Sequence, residues 1–254
     1  MVLTIHQREV AVRVLAAESS RRSHVVISLS GAHAYGFPSP DSDLDLKAVH
    51  MLPAREFLGF PRTPAPAERL EVIDGVEIDY SSNELGGVLL GLIKGNGNYF
   101  ERFLSRFALS TSPTFEVLRP IVQRALSTRV GRHYFGFATQ QRNEWERGGR
   151  KSAKKLLYVL RTATTGTHLL RTGELETDLS VLASRYGLGD AVELIEAKKR
   201  GEKSELADAL AEKWAARIDG VFTRLVEAEK SSVLPVEPTN EAELEAALIA
   251  LRST

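Results

Sequence analysis

The stretch from His24 to Val49 constrains this chain more than any other. A β-branched run, Val25-Val26-Ile27, ends at Ser30-Gly31 and predicts a buried strand running into a tight loop. Beyond a loop bounded by Gly31 and Gly36, Ser42-Asp43-Leu44-Asp45 enters a second strand, Leu44 to Val49. Side chains alternate along a strand, so Asp43 and Asp45 share one face while Leu44 and Leu46 take the other. Glycines let backbone N–H groups approach a phosphate closely, and two aspartates projecting side by side can clamp a hard divalent cation through oxygen. Magnesium shares octahedral oxygen coordination among a few carboxylates, waters and substrate phosphates. In a two-metal site one ion activates the attacking hydroxyl, the other stabilises the pyrophosphate leaving group, and a third carboxylate is usually needed.

The third carboxylate is expected at Asp79. The runs Arg69–Ile73 and Val76–Tyr80 flank Asp74-Gly75, a two-residue type I′ turn signal, and so predict a hairpin. On its second arm Val76, Ile78 and Tyr80 share one face, leaving Glu77 and Asp79 on the polar one. Asp41, Asp43 and Asp45 also begin like an EF-hand loop, but that loop needs Gly sixth and Glu twelfth, where this chain has Leu46 and Leu52. An Asp-x-Asp alone is a common solvated turn. Joined to a glycine loop and a further strand aspartate it becomes specific, with Asp43, Asp45 and Asp79 as both metal ligands and catalytic residues.

Around this segment, Thr4 and Gln7 make a capping box for an opening helix to about Glu18. Pro61, Pro64 and Pro66 predict an exposed, non-helical connector over 61–68. Asn83 is expected to cap a helix through Leu92, and Gly95-Asn96-Gly97-Asn98 to break it before a short helix at 99–107. From Pro113 onward only helical periodicity is legible, over 114–127, 132–147, 150–171, 178–186, 190–199 and 204–229. Two prolines in 231–239 mark a linker, and Asn240 with Glu243 caps a last acidic helix. The expected organisation is a catalytic domain over 1–115, a helical domain with a basic face over 116–230, and a linker with a C-terminal helix over 231–254.

The 254 residues carry 33 basic and 33 acidic side chains, yet residues 119–171 hold 12 basic against 2 acidic, and residues 172–254 hold 10 against 17. A basic block of this kind suits a polyphosphate or an RNA backbone. It equally suits a helix face salt-bridged to the acidic last third. Arg147, Arg150, Lys151, Lys154 and Lys155 fall on one expected helical stripe, with Lys151 and Lys154 the candidates for gripping the donor phosphates. Asn98 lies where it could reach the nucleotide or cap a helix. Trp145 and Trp214 read as core.

The absence of cysteine removes disulfides, Cys-ligated metals and thiol nucleophiles, and fits a reducing compartment. Nothing approaches the ~20 apolar residues that span a bilayer, and the N-terminus lacks a signal-peptide core, so a cytoplasmic protein without membrane attachment is expected. Neither a Walker loop nor a dinucleotide fingerprint is present, nor is a Ser/His/Asp signature.

Gly31-Ala32-His33-Ala34-Tyr35-Gly36 and Ser42-Asp43-Leu44-Asp45 resemble the first motif of the nucleotidyltransferases of the DNA polymerase β superfamily, and look closest to bacterial members with a GS-x-AYG…SD-x-D pattern. The similarity continues through Gly95–Phe103 and the basic segment at 150–161, covering most of residues 24–170. It implies an α/β (α+β) protein: a mixed-sheet, palm-like domain followed by an all-helical one. It also implies transfer of a nucleoside monophosphate from an NTP such as ATP, with two Mg²⁺ or Mn²⁺ ions. The nucleotide would lie on Ser30, Gly31, Ala32 and Ser42, the last donating its hydroxyl to a phosphate. Ala32 departs from the pattern, which commonly has Ser there; Ser30 is the candidate substitute.

The acceptor stays open between an RNA 3′ end, suggested by the basic block, a hydroxyl of a protein such as a toxin or regulator, and a small molecule. A catalytically silent nucleotide-binding protein on the same fold is the alternative that Ala32 keeps alive. Clustered carboxylates weigh against it, since they repel without a cation. The acidic tail at 237–245 could also engage a basic protein partner.

Overall fold

The computed structural model describes residues 3–58, 60, 67–201 and 205–253. In chain order the elements are α1 (Ile5–Ser19), β1 (Ser23–Leu29), α2 (Gly31–Tyr35), β2 (Leu44–Met51), β3 (Ala67–Ile73), β4 (Val76–Glu84), α3 (Leu85–Ile93), α4 (Gly97–Leu104) and β5 (Ala108–Thr111). Then follow α5 (Pro113–Arg124), α6 (Arg129–Arg147), α7 (Ala153–Thr172), α8 (Leu179–Arg185), α9 (Val192–Lys199), α10 (Asp208–Lys230) and α11 (Glu241–Arg252). The fold is mixed α/β, with its strands early and its long helices late. Most of the proline connector expected at 61–68 lies outside the described residues.

The chain divides into two compact units, one formed by Met1–Gly31, Asp43–Leu126 and Pro238–Thr254, the other by Ala32–Ser42 and Ser127–Glu237. The sequence suggested consecutive segments with boundaries near 115 and 230; these units interleave along the chain instead.

In the first unit the described strands form a sheet in the order β3-β4-β2-β1-β5. Its neighbours are antiparallel except β2 and β4, which run parallel. Alternation makes one face apolar: Leu44, Leu46, Ala48, Ile78 and Tyr80 pack with Ile27 and Leu29 and with Val10, Ala11 and Val14 of α1. Thr4 and Gln7 cap α1 reciprocally. At the hairpin tip Asp74 and Gly75 have φ of 48° and 79°, the left-handed pair that a type I′ turn requires. The C-terminal helix belongs to this unit: Leu244 is buried, Arg124 pairs with Glu243, and Arg252 Nη2 donates to Glu84 Oε1 at 2.6 Å.

Four local expectations change. Asn83 stays in β4, and Glu84 caps α3, its carboxylate accepting from the Gly86 N–H at 2.7 Å. Asn96 rather than Asn98 caps α4, because the helix starts two residues earlier than the glycines suggested. Asn240 makes no cap hydrogen bond to α11; its amide donates to Ile121 O at 2.9 Å and so ties the helix to α5. Strand β5, four residues long with a weak alternating pattern, was not expected; pairing with β1 creates it.

In the second unit α7 is buried along most of its length and packs against α6 and α10, and Trp145 and Trp214 are core residues. The basic stripe expected over 147–155 is broken. Helix α6 ends at Gly148, Arg150 has φ of 63°, and Ser152 caps a new helix by accepting from the Lys155 N–H at 3.2 Å. Arg147, Arg150 and Lys151 therefore share no helix with Lys154 and Lys155.

A polar network closes one end of the sheet. Glu18, 2% exposed, pairs with Arg21, Arg22 and Arg69, and the Tyr80 hydroxyl shares a 2.7 Å hydrogen bond with His24 Nε2. Burial, aided by Arg22 and His50, holds the His24 imidazole down at about 4 against an ordinary 6.5. The unfolded chain thus binds a proton in that window that the folded one refuses, so this contribution is complete above pH 6.5 and is lost as pH falls toward 4. Thermal melts across that range should show the midpoint dropping with pH, and His24→Gln should flatten the dependence; an unchanged slope in the variant would assign it to other groups.

Candidate active site

The polar face of the sheet carries the acidic residues. Asp45 and Asp79 are register partners on the parallel pair β2 and β4, so their side chains emerge side by side. Asp43 lies two residues before Asp45 on the same alternation, just ahead of β2. Asp45 is the more enclosed, with its side chain 16% exposed against 42% for Asp79.

The Ser30-Gly31 corner is built onto Asp45. Ser30 donates its N–H to Asp45 O at 2.8 Å, and a methyl group placed on Gly31 would lie 1.7 Å from Asp45 Oδ2. With φ of 61°, Gly31 is held in a conformation that suits glycine and brings bare backbone against the carboxylate. The residues after it form one short helix, α2, rather than an open loop. Ala32, at the place where the pattern commonly has Ser, is 1% exposed.

Lys47, next on the same face of β2, sits between the two carboxylates. Its Nζ is 2.7 Å from Asp79 Oδ1 and 3.9 Å from Asp45 Oδ1. Among the described residues no group of three or more His, Asp and Glu side chains stands close enough to hold a metal ion. Magnesium, however, commonly takes only one or two carboxylates and completes its shell with water and substrate phosphate. Asp45 and Asp79 offer hard oxygen donors around a position that already accommodates a cation, and Asp43 is a third donor two residues away. The donor chemistry fits Mg²⁺ or Mn²⁺.

In the second unit Ser42 is buried, and its hydroxyl accepts from the Ser39 N–H at 2.9 Å and from Lys198 Nζ at 2.7 Å. Lys198 is fully buried on α9 and donates to Ser39 Oγ as well, at 2.5 Å. This lysine fixes the turn that delivers the chain to Asp43. The sequence hid it, because Lys198-Lys199-Arg200 reads as a solvated run. Nearby, Arg161, 1% exposed, lies 3.5 Å over the Tyr35 ring, and Thr177 Oγ1 donates to Ala34 O at 3.1 Å, anchoring the segment that follows Gly31.

The remaining candidates are placed as follows. Asn98 is exposed in the first turn of α4, its N–H donating to Asn96 Oδ1. Lys151 is exposed and 3.6 Å from Glu205 Oε2, and Lys154 is half-buried in the first turn of α7. Several cations of the basic block pair with carboxylates of the acidic last third: Arg124 with Glu243, Arg129 with Glu237, Arg142 with Asp219. Not marked by any sequence signal, Leu70 is 85% exposed in register opposite Asp79, and Val72 is 64% exposed on the same strand face.

Gly31→Ala should lower stability by about 1–3 kcal/mol from backbone strain and displace the Asp45 carboxylate. Urea denaturation checks it; an unshifted midpoint would mean that Asp45 is not held against this backbone.

Residues 7–250 match the family RlaP, described as the RNA repair pathway DNA polymerase beta family. The uncharacterised protein MJ0002 of Methanocaldococcus jannaschii is 32% identical over 158 residues, 61% of this chain and 64% of that protein, so the match spans a little under two thirds of this relative's length. The uncharacterised protein YcgL of Bacillus subtilis is 26% identical over 224 residues, 84% of this chain and 81% of that protein. A crystal structure of a nucleotidyltransferase-like protein from Exiguobacterium sibiricum aligns over 97% of this chain and 87% of its own at 13% identity, with a TM-score of 0.36, a likeness too loose to carry weight. No helix among the described residues is long and apolar enough to cross a membrane. With its glycine corner, its paired strand aspartates and a family match across nearly its whole length, the chain belongs to the RlaP family and so to the DNA polymerase β superfamily of nucleotidyltransferases.

Proposed function

We propose that the protein transfers a nucleoside monophosphate from an NTP to an acceptor hydroxyl in a metal-dependent reaction, with an RNA 3′ end as the acceptor. The observation that carries this reading is the in-register pair Asp45 and Asp79 beside the Gly31 backbone. Bound Mg²⁺ or Mn²⁺, held by Asp45 and Asp79 and joined by Asp43 once the triphosphate is in place, would supply polarisation of the α-phosphate and charge compensation for the leaving group. The acceptor oxygen forms a bond to the α-phosphorus, the bond to the β-phosphate breaks, and pyrophosphate leaves with the electron pair. Asp79, the more exposed of the two, takes the hydroxyl proton on its carboxylate.

For the acceptor, the family's association with RNA repair supports an RNA end. So does the open apolar surface of Leu70, opposite Asp79, which gives a base or ribose something to lie on. The partial pairing of the basic block with acidic residues lends the protein-hydroxyl reading support, since such an acceptor needs no extended positive surface. A buried Ala32 methyl and a buried Ser42 hydroxyl favour the silent-binder reading.

Incubation with α-labelled NTPs, Mn²⁺ and short RNAs should move label onto RNA. Asp43→Ala should lower the rate about 100-fold or more, the few kcal/mol that metal assistance supplies, with the fold retained by circular dichroism. Label on added protein but not RNA would redirect the acceptor, and an Asp43→Ala variant of full activity would end the reading. Leu70→Asp should raise the KM for the RNA several-fold and leave that for the NTP unchanged; equal shifts in both would place Leu70 in folding rather than in acceptor contact.

A further inference from the structure

Lys47 belongs to no part of the chemistry just described, yet its ammonium sits against both carboxylates at its centre. Its ammonium lies 2.7 Å from Asp79 Oδ1 and 3.9 Å from Asp45 Oδ1, and it also approaches Asp79 O at 3.4 Å. Its position follows from strand geometry. Asp45 and Lys47 are alternate residues of β2, so they leave the same face, and the parallel register sets Asp79 across from Asp45 and Ser81 across from Lys47. The lysine chain therefore leans back along the strand to reach both carboxylates. Lys47 and Asp45 are partly enclosed, with side chains 23% and 16% exposed, which lessens solvent screening on that side, while Asp79, 42% exposed, lies open to an incoming ion.

We propose that Lys47 is a tethered counterion that occupies the cation position between Asp45 and Asp79 and is exchanged for a divalent ion when the nucleotide enters. The inference rests on the metal-dependent reading above. Two carboxylates side by side repel one another unless a cation lies between them. A lysine on the same strand supplies that cation until the nucleotide enters, at no entropic loss of a free ion. It also sets a threshold. A divalent ion alone must displace or tolerate a positive charge within a few ångströms, whereas an ion arriving with a polyanionic triphosphate brings the compensating negative charge. Metal occupancy is thereby coupled to nucleotide occupancy.

The test is Mn²⁺ binding, read by electron paramagnetic resonance and by calorimetry in the absence of nucleotide, for wild type, Lys47→Met, Lys47→Arg and Asp45→Asn. Removing one positive charge at this distance should tighten Mn²⁺ binding by Lys47→Met about tenfold or more at low ionic strength, with the difference shrinking as salt rises. Lys47→Arg should stay near wild type, and Asp45→Asn should bind more weakly than either. Adding ATP should raise Mn²⁺ affinity more in wild type than in Lys47→Met. If Lys47→Met fails to fold, Lys47→Gln gives the same neutralisation with a polar chain and the same expected tightening. Mn²⁺ affinity unchanged or weakened in the neutral variants, with Asp45→Asn still impaired, would overturn the counterion role and leave the metal site standing. No Mn²⁺ binding in any form, with or without ATP, would overturn both.

Discussion

Backbone hydrogen bonds between β2 and β4 hold Asp45 and Asp79 side by side, and a cation between them relieves the repulsion of two like charges. Much of the local structure answers to that constraint. Lys47 leans back along its own strand to neutralise the pair. Gly31 brings bare backbone against Asp45 where any side chain would collide. On the opposite face, Leu44, Leu46 and Ile78 bury the same strands against α1, so the core and the acidic row are two sides of one alternation. Moving either strand by a residue would put aspartates in the core and leucines at the site.

The chain on either side of these aspartates is anchored differently. Asp43 and Asp45 belong to the sheet-bearing unit, whereas residues 32–42 belong to the helical one, where Arg161, Thr177 and Lys198 fix them. The motif segment is thus pinned by residues more than a hundred positions away in sequence. Lys198, fully buried, donates to the Ser39 and Ser42 hydroxyls, and these bonds hold the turn in a defined geometry.

The sequence was most legible where short-range physics decides the outcome. Alternation gave the faces of β2 and β4, the Thr4–Gln7 pair gave the start of α1, and Asp74-Gly75 gave the hairpin. The same alternation puts Asp45 and Asp79 on the face opposite the core. Partners distant in sequence were not legible. Strand β5 exists through its pairing with β1, Asn240 turns to α5 instead of capping its own helix, and α11 joins the sheet unit. The basic stripe is broken because Gly148, Gly149 and the left-handed Arg150 interrupt a periodicity that is continuous in the sequence. Lys47 and Lys198 are not legible in the sequence, where a lysine reads as a solvated charge; only three-dimensional neighbours set one between two carboxylates and bury the other against two serine hydroxyls.

The functional reading stands on one claim, that Asp43, Asp45 and Asp79 together bind a metal–nucleotide complex. Calorimetric titration with each NTP, with and without Mn²⁺, tests it most directly when wild type is run beside the Asp43→Ala/Asp45→Ala variant. The account requires NTP binding that depends on Mn²⁺ in wild type and disappears in the variant. Binding of equal strength in both proteins, or no binding of any NTP by wild type, would contradict it.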